Sequence, residues 1–201
     1  MIIDDIKIQN GAYVYCKSQY YQCMDTLNES QVFEFKKGIN ILEGDIDSSN
    51  FAISYLISMY EKVDKRLLSM EHTAIVNGEK MSLRELSSYA CYIDINNKDF
   101  KNKTVKNLIK SGVKKSGVDF TVEQLIEMFC LTERRINLAP LKCGNERHRA
   151  MVAIGLAQGK DIFCFPWYSY KMYEYLKPSI DLIEERLTGL GKIMILPVGK
   201  R

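Results

Sequence analysis

Two apolar runs near the end of the chain, Ile162-Phe163-Cys164-Phe165 and Ile193-Met194-Ile195-Leu196, constrain the fold more than any other feature. Each is short and continuous and lacks the polar alternation of a half-exposed strand, so each reads as a strand buried on both faces. A helical pattern precedes each run. The first spans Arg147 to Gln158, and the second Ser179 to Leu187. Pro178 is read as the start of the second helix, where its missing N–H costs nothing, and Gly189 and Gly191 as its end. Helix–strand–helix–strand order places the chain in the α/β class.

The first half carries the rest of a sheet. Gln31-Val32-Phe33-Glu34-Phe35 alternates, Lys36-Lys37-Gly38 reads as a turn, and Ile39-Asn40-Ile41-Leu42 continues. That pattern predicts an antiparallel hairpin feeding a buried strand. From Phe51 to Val63, apolar residues recur at helical spacing, and Asp47-Ser48-Ser49-Asn50 supplies N-cap candidates before them. Thr73-Ala74-Ile75-Val76 runs into Asn77-Gly78, a strand entering a tight turn, and Tyr89 to Ile95 is a further short strand. The stretch from about 97 to 145 is Lys-rich, with short helices predicted at Val105–Lys110 and Val122–Cys130.

Length and composition exclude several classes. At 201 residues with 46% hydrophobic and 26% charged content, the chain can close one sizeable core. A net charge of only +3 argues against a dedicated nucleic-acid binder. No apolar run reaches the roughly 18 residues of a membrane span. The start, Met1-Ile2-Ile3-Asp4-Asp5, has acids where an export signal carries bases. A cytoplasmic protein is therefore expected, with spanning helices, if any are needed, supplied by other polypeptides. The six cysteines, at 16, 23, 91, 130, 143 and 164, form no Cys-x-x-Cys, and the two histidines, His72 and His148, are far apart. No metal ligand set and no catalytic residue is assigned; the cysteines are read as reduced thiols.

In element order and in several short motifs, the chain resembles the nucleotide-binding domain of the ATP-binding cassette family over nearly its whole length. The resemblance rests on the strand–Gly44–helix unit, Thr104-Val105-Lys106-Asn107-Leu108, and Leu141-Lys142-Cys143-Gly144-Asn145 before a helix ending Val152-Ala153-Ile154-Gly155-Leu156-Ala157, with an apolar strand directly after. It implies an α/β, P-loop NTPase-like fold: a mixed sheet, antiparallel in its N-terminal part, plus a small helical subdomain. It also implies one domain, with a core of about 1–96 and 146–201 and a helical insertion of about 97–145.

The same resemblance shows what is missing. A phosphate loop uses Gly-x-x-x-x-Gly-Lys-Ser/Thr, whose backbone N–H groups face the phosphate oxygens and whose lysine balances charge. Here the stretch is Gly44-Asp45-Ile46-Asp47-Ser48-Ser49-Asn50-Phe51. Ser49 replaces the second glycine, Asn50 the lysine and Phe51 the magnesium-binding hydroxyl. Losing one charge-assisted contact costs about 1.5–3 kcal/mol, and Asp45 and Asp47 add repulsion. The family's Asp-Glu-Pro, which holds magnesium and polarises the attacking water, becomes Pro166-Trp167 after the apolar strand. The family's terminal histidine falls on Gly199, and its glutamine loop finds only Asp94, Asn96 and Asn97 as stand-ins.

The relic binding set implied by the resemblance is Gly44, Ser48, Ser49 and Asn50 for the phosphate loop, Tyr20 or Tyr21 for adenine stacking, and Lys142, Gly144 and Asn145 for a signature loop acting in trans on a partner subunit. In that loop Cys143 replaces a glycine, and Lys142 a serine that would bond the terminal phosphate. ATP is the cofactor implied, weakly held. The leading expectation is a degenerate subunit, a pseudo-ATPase acting as scaffold or regulatory partner of a competent ATPase or of membrane transporter subunits, as homodimer or heterodimer, peripheral at the inner face of a membrane. A stand-alone module using the fold for a peptide or other ligand is the alternative, and a low-activity ATPase ranks below both.

Three further features carry expectations. The aromatic cluster Trp167-Tyr168-Tyr170-Tyr173-Tyr175 is expected at a subunit interface, with Tyr13, Tyr15, Tyr20 and Tyr21 as a second aromatic group. Glu146-Arg147-His148-Arg149 reads as a capped, solvated helix turn. The lysines at 98, 101, 103, 106, 110, 114 and 115 are either a solvated face or a surface that meets an acidic partner or lipid headgroups.

Overall fold

The computed structural model describes residues 2–9, 12–17, 22–27, 31–46, 48–63, 73–93, 100 and 102–201, with 12–17 and 22–27 described as backbone only. The first sheet is antiparallel. It joins β1 (Asp5–Ile8), β4 (Phe33–Lys36), β6 (Thr73–Val76) and β7 (Glu79–Ser82) in the order β4-β1-β6-β7. Ile6 and Ile8 of β1, and Ala74 and Val76 of β6, alternate inward, so only one face is apolar and the other meets solvent. Between β1 and β4, β2 (Ala12–Lys17) and β3 (Gln22–Leu27) form a separate antiparallel pair.

The second sheet is parallel, in the order β5-β10-β9-β8, from β5 (Gly38–Glu43), β8 (Ala90–Tyr92), β9 (Ile162–Cys164) and β10 (Ile193–Val198). β9 and β10 are buried along their whole length, as their unbroken apolar runs require. Their residues divide strictly between two cores. Ile162, Cys164, Ile193 and Ile195 face α1 (Asn50–Met59) and the antiparallel sheet. Phe163, Phe165, Met194 and Leu196 face the other core, built on α3 (Val105–Ser116), α6 (Arg147–Ala157) and α7 (Tyr170–Gly189). Each fully buried side chain of this size contributes about 1.5–3 kcal/mol. α1 lies between the sheets, which explains why eight of its ten residues are buried.

Several expectations are corrected. β4 and β5 do not form a hairpin. One residue, Lys37, separates them, fewer than the two a tight hairpin turn needs. The chain therefore runs on from an antiparallel neighbour, β1, to a parallel one, β10. The helix placed after Pro178 begins at Tyr170 instead, capped by the Ser169 hydroxyl, which accepts from the Met172 N–H at 3.3 Å. Pro178 is tolerated inside α7 because it and Glu174, whose carbonyl loses its partner, lie on the exposed side. α3 runs to Ser116, six residues beyond the expected end, and stops at Gly117. The small helical subdomain also holds α4 (Val122–Met128), whose capping box pairs Thr121 and Gln124 reciprocally, and α5 (Glu133–Ile136). α2 (Leu83–Ser88), capped by Ser82, leads into β8. Among the described residues no helix is long and apolar enough to cross a membrane.

Candidate functional site

The order β5-β10-β9 brings three strand ends together at the carboxyl edge of the parallel sheet, the place where open α/β folds hold ligands. β5 leads into Gly44, β9 into Pro166-Trp167, and β10 into Gly199. Backbone bonds lock the three. The Gly44 N–H donates to Val198 O at 2.9 Å, the Tyr168 N–H to Pro197 O at 3.1 Å, and the Gly199 N–H to Tyr168 O at 2.8 Å. Gly44, Pro166-Trp167 and Gly199, the three stretches the resemblance compares with a phosphate loop, its acids and its histidine, are thus adjacent.

What sits between them is an indole. Trp167 Nε1 donates to Gly44 O at 2.9 Å, spanning 123 residues of sequence. A Cβ built on Gly199 would lie 2.8 Å from Trp167 Cζ2, closer than side chains pack, so this glycine is the space that the indole fills. Gly44 is hemmed in from the other side. A Cβ there would fall 2.3 Å from Ser48 Oγ and 2.6 Å from Asn50 Nδ2. The Ser48 hydroxyl donates to Asp45 O, and the Asn50 amide turns back to donate to Leu42 O at 3.1 Å. Ser49 holds φ +70°, the left-handed conformation that suits the glycine it replaces, and its side chain does not cap α1. Ser49 thus occupies the N-cap position expected in this stretch, but without a side-chain capping bond.

Behind the loop, Ser54 Oγ donates to Phe165 O at 2.6 Å and Ser58 Oγ to Ser54 O at 2.8 Å, tying α1 to the β9 exit. A triphosphate with magnesium does not fit this arrangement. The loop's amide is committed to its own strand, Gly44 is bonded to the indole, and Gly44 to Phe51 contains no basic residue.

The signature stretch keeps a different kind of order. Residues Pro140–Lys142 and Gly144–Glu146 form two successive 3₁₀ turns that lead directly into α6. Gly144 takes φ +58°, and a Cβ there would be 3.3 Å from an Arg135 Nη. Arg135 also donates through Nη1 to Lys142 O at 3.1 Å, bracing the turn from α5. Cys143 is fully buried, its Sγ 3.3 Å from Arg135 O and 3.4 Å from Ala139 O. Burial first, and then the Glu146 charge, push its thiol up to about 11, against a smaller opposing effect of Arg135. Lys142 and Asn145 stay exposed.

The following turn is solvated only in part, contrary to expectation: Arg147 and Arg149 are half-buried, and Glu146 and His148 turn inward. Glu146 is buried and accepts from both the Thr132 N–H at 2.9 Å and the Thr132 hydroxyl at 3.0 Å, because the second 3₁₀ turn tucks it under α5. His148 is buried beside Tyr168, its Nε2 at 3.1 Å from the phenol oxygen with the rings edge-on. Burial, reinforced by the neighbouring Arg147 charge, lowers its pKa to about 3, so the ring is neutral near pH 7. Beside these residues, a cleft of about 580 Å³ opens between the start of α6 and the Pro178 region of α7, lined among others by Asn145, Arg149, Tyr175 and Ser179.

The aromatic cluster does not form one outward face. Tyr168 is 1% exposed and Trp167 half-buried, whereas Tyr175 is 77% exposed. Tyr170 and Tyr173 are half-buried, each with a cation over its ring, Arg201 and Lys177 respectively. Tyr20, Tyr21, Asp47, Asp94, Asn96, Asn97 and His72 lie outside the described residues, and Tyr13 and Tyr15 lie where only backbone is described. Sequence reading treated Trp167 as a missing carboxylate and as a member of an interface cluster, not as a partner of Gly44 and Gly199. The signal for its role was the pairing of one large residue with a glycine at the two neighbouring motif positions.

No protein-family model and no curated protein matches this sequence. Solved structures do match. The chain is similar to a protein named as an ABC transporter ATP-binding protein, from Pyrococcus furiosus, at 14% identity over 98% of this chain and 91% of that one, with a TM-score of 0.61. It is similar to an ATP-bound bacterial Atm1-family ABC exporter at 12% identity and TM-score 0.62, over 100% of this chain but 35% of the exporter, so it spans about a third of that protein. A dimeric ATP-binding cassette in a post-hydrolysis state with ADP and Pi matches at 17% identity and TM-score 0.54, over 98% and 88% of the two chains. With the two sheets, the central α1 and the helical subdomain in this order, the chain has the fold of an ATP-binding cassette domain.

Proposed function

We propose that this chain is a degenerate ATP-binding cassette subunit, a pseudo-ATPase that serves as scaffold or regulatory partner of a competent ATPase or of membrane transporter subunits. One observation carries the reading: the Trp167 indole, bonded to Gly44 and packed on Gly199, occupies the meeting point of the three strand ends where the family's phosphate chemistry would lie. Gly44, Ser48, Ser49 and Asn50 are then a relic phosphate loop, and Lys142, Gly144 and Asn145 a relic signature. In this reading 1–201 is one domain, with a core of about 1–96 and 146–201 and an insertion of about 97–145. The similarity to a dimeric cassette and to an exporter supports a role in an assembly, placed at the inner face of a membrane.

Trp167 is the only tryptophan, so its fluorescence reports on the site directly. Titration with ATP and magnesium, read by fluorescence and by thermal unfolding, should leave both unchanged at millimolar nucleotide. A native-state ligand would raise stability by RT ln(1 + [L]/Kd). A saturable, magnesium-dependent shift that disappears in Gly44→Trp would overturn the reading. The scaffold role predicts that complexes captured natively with this chain hydrolyse ATP while the purified chain does not. Hydrolysis by the purified chain would reject it.

A further inference from the structure

Charge in this chain is segregated. Residues 98–115 contain seven lysines and one acid, Asp99, while the remainder of the chain holds more acids than bases. In the structure, Lys103, Lys106, Lys110, Lys114 and Lys115 are all exposed, with 106, 110 and 114 at successive i, i+4 positions that line one face of α3. Among the described residues none of these five forms an ion pair, although lysines elsewhere do, such as Lys7 with Glu34 and Lys192 with Asp161. No acidic residue occurs within α3.

The face is also held rigidly. Val105, Leu108, Ile109 and Gly112 are buried on the opposite side of the helix. Gly112 meets α6 so closely that a Cβ would lie 2.9 Å from Ala157, and Ser116 Oγ donates to Ala157 O at 2.7 Å. The apolar side of α3 is therefore not free to insert anywhere, and what α3 offers a partner is charge alone.

We infer that this α3 face docks on an anionic lipid surface, by electrostatic adsorption without insertion. Three features favour headgroups over a protein or a nucleic acid. The cations are lysines, point charges suited to diffuse anions, and the segment 98–115 has no arginine for bidentate recognition of carboxylate or phosphate. The exposed residues beside them, Asn107 and Ser111, are small and polar, so the face lacks the aromatic anchors of a protein interface or of a base-stacking surface. Clusters of four to eight basic residues are the size that binds anionic lipid. The inference deepens the proposed placement at a membrane but stands independently of whether nucleotide binds.

Co-sedimentation with extruded vesicles tests it. The full chain should pellet with phosphatidylcholine vesicles containing phosphatidylserine, stay in solution with phosphatidylcholine alone, and be released at about 1 M salt, where the Debye length falls to about 3 Å. Lys106→Glu/Lys110→Glu/Lys114→Glu should lower the partition coefficient by about a hundredfold with an unchanged thermal midpoint, since all three side chains are exposed. A control reversal at exposed lysines elsewhere, Lys36→Glu/Lys62→Glu/Lys80→Glu, should retain most of the binding. Equal loss in both variants would make the effect one of net charge and overturn the assignment to α3. So would binding to neutral vesicles, no binding at low salt, or capture by a polyglutamate peptide or single-stranded RNA in preference to the anionic vesicles.

Discussion

The two corners of this chain whose residues resemble nucleotide-handling motifs are built in opposite ways. At the carboxyl edge of the parallel sheet the site is filled: Trp167 reaches back to Gly44, and Gly199 makes room for it. At the start of α6 the order lies in the turn itself. Gly144 takes a left-handed backbone, Cys143 tucks its sulfur inward, and Arg135 and Glu146 brace the turn from within, leaving an open cleft outside. The lesson concerns coupling. In the first corner the residues depend on one another, a large one opposite a small one, and the space is taken by packing. In the second, Lys142 and Asn145 are exposed above a support of buried contacts.

That contrast is sharpest at Trp167. Trp167→Ala should cost about 3 kcal/mol, at the low end for a large core residue because the indole is half-buried, as read by urea unfolding. Gly199→Ala should cost about 2 kcal/mol alone through overpacking, and much less when Trp167 is already Ala. A double-mutant cycle with no coupling would break the claim that the two positions form one unit.

The second corner is probed by pH. In the unfolded chain an imidazole protonates near pH 6.5, whereas His148 folded does so near 3. Between those values the unfolded chain binds the extra proton, so stability rises with pH across this window. The contribution is complete above about 6.5 and is lost as the pH falls toward 3. At about pH 5 the loss is about 2 kcal/mol. His148→Gln should lose that much less than the unsubstituted chain between about pH 7.5 and about pH 5, measured by chemical denaturation. Equal losses would show that the buried His148 imidazole does not carry the dependence.

The smallest expected effect is at the turn itself. Gly144→Ala should cost about 1 kcal/mol, the cost of a Cβ in a left-handed conformation, with the cleft beside α6 preserved. A cost of several kcal/mol would mean that this corner is as tightly coupled as the first.

Much of the fold was legible because burial writes itself into composition. The unbroken runs at 162–165 and 193–196 announced β9 and β10, and Asn77-Gly78 marked the β6–β7 turn. Local signals misled where a neighbour in space outweighed them. Pro178 looked like a helix start, yet Ser169 caps α7 nine residues earlier and the helix tolerates the proline on its exposed side. Lys36-Lys37-Gly38 looked like a hairpin turn, yet β5 finds its partner in β10, about 150 residues away.

By itself the sequence determined the α/β order of elements, the absence of any basic residue from Gly44 to Phe51 and of a carboxylate at Pro166-Trp167, and the lysine-rich segment that becomes α3. These are matters of residue identity and local period. Only the tertiary structure decided what these positions do instead. That Trp167 fills the space above Gly199, that Glu146 and His148 turn inward, and that two of the five clustered aromatics are packed inward rather than displayed all follow from contacts between distant segments. Packing of that kind has no periodicity for a single sequence to reveal.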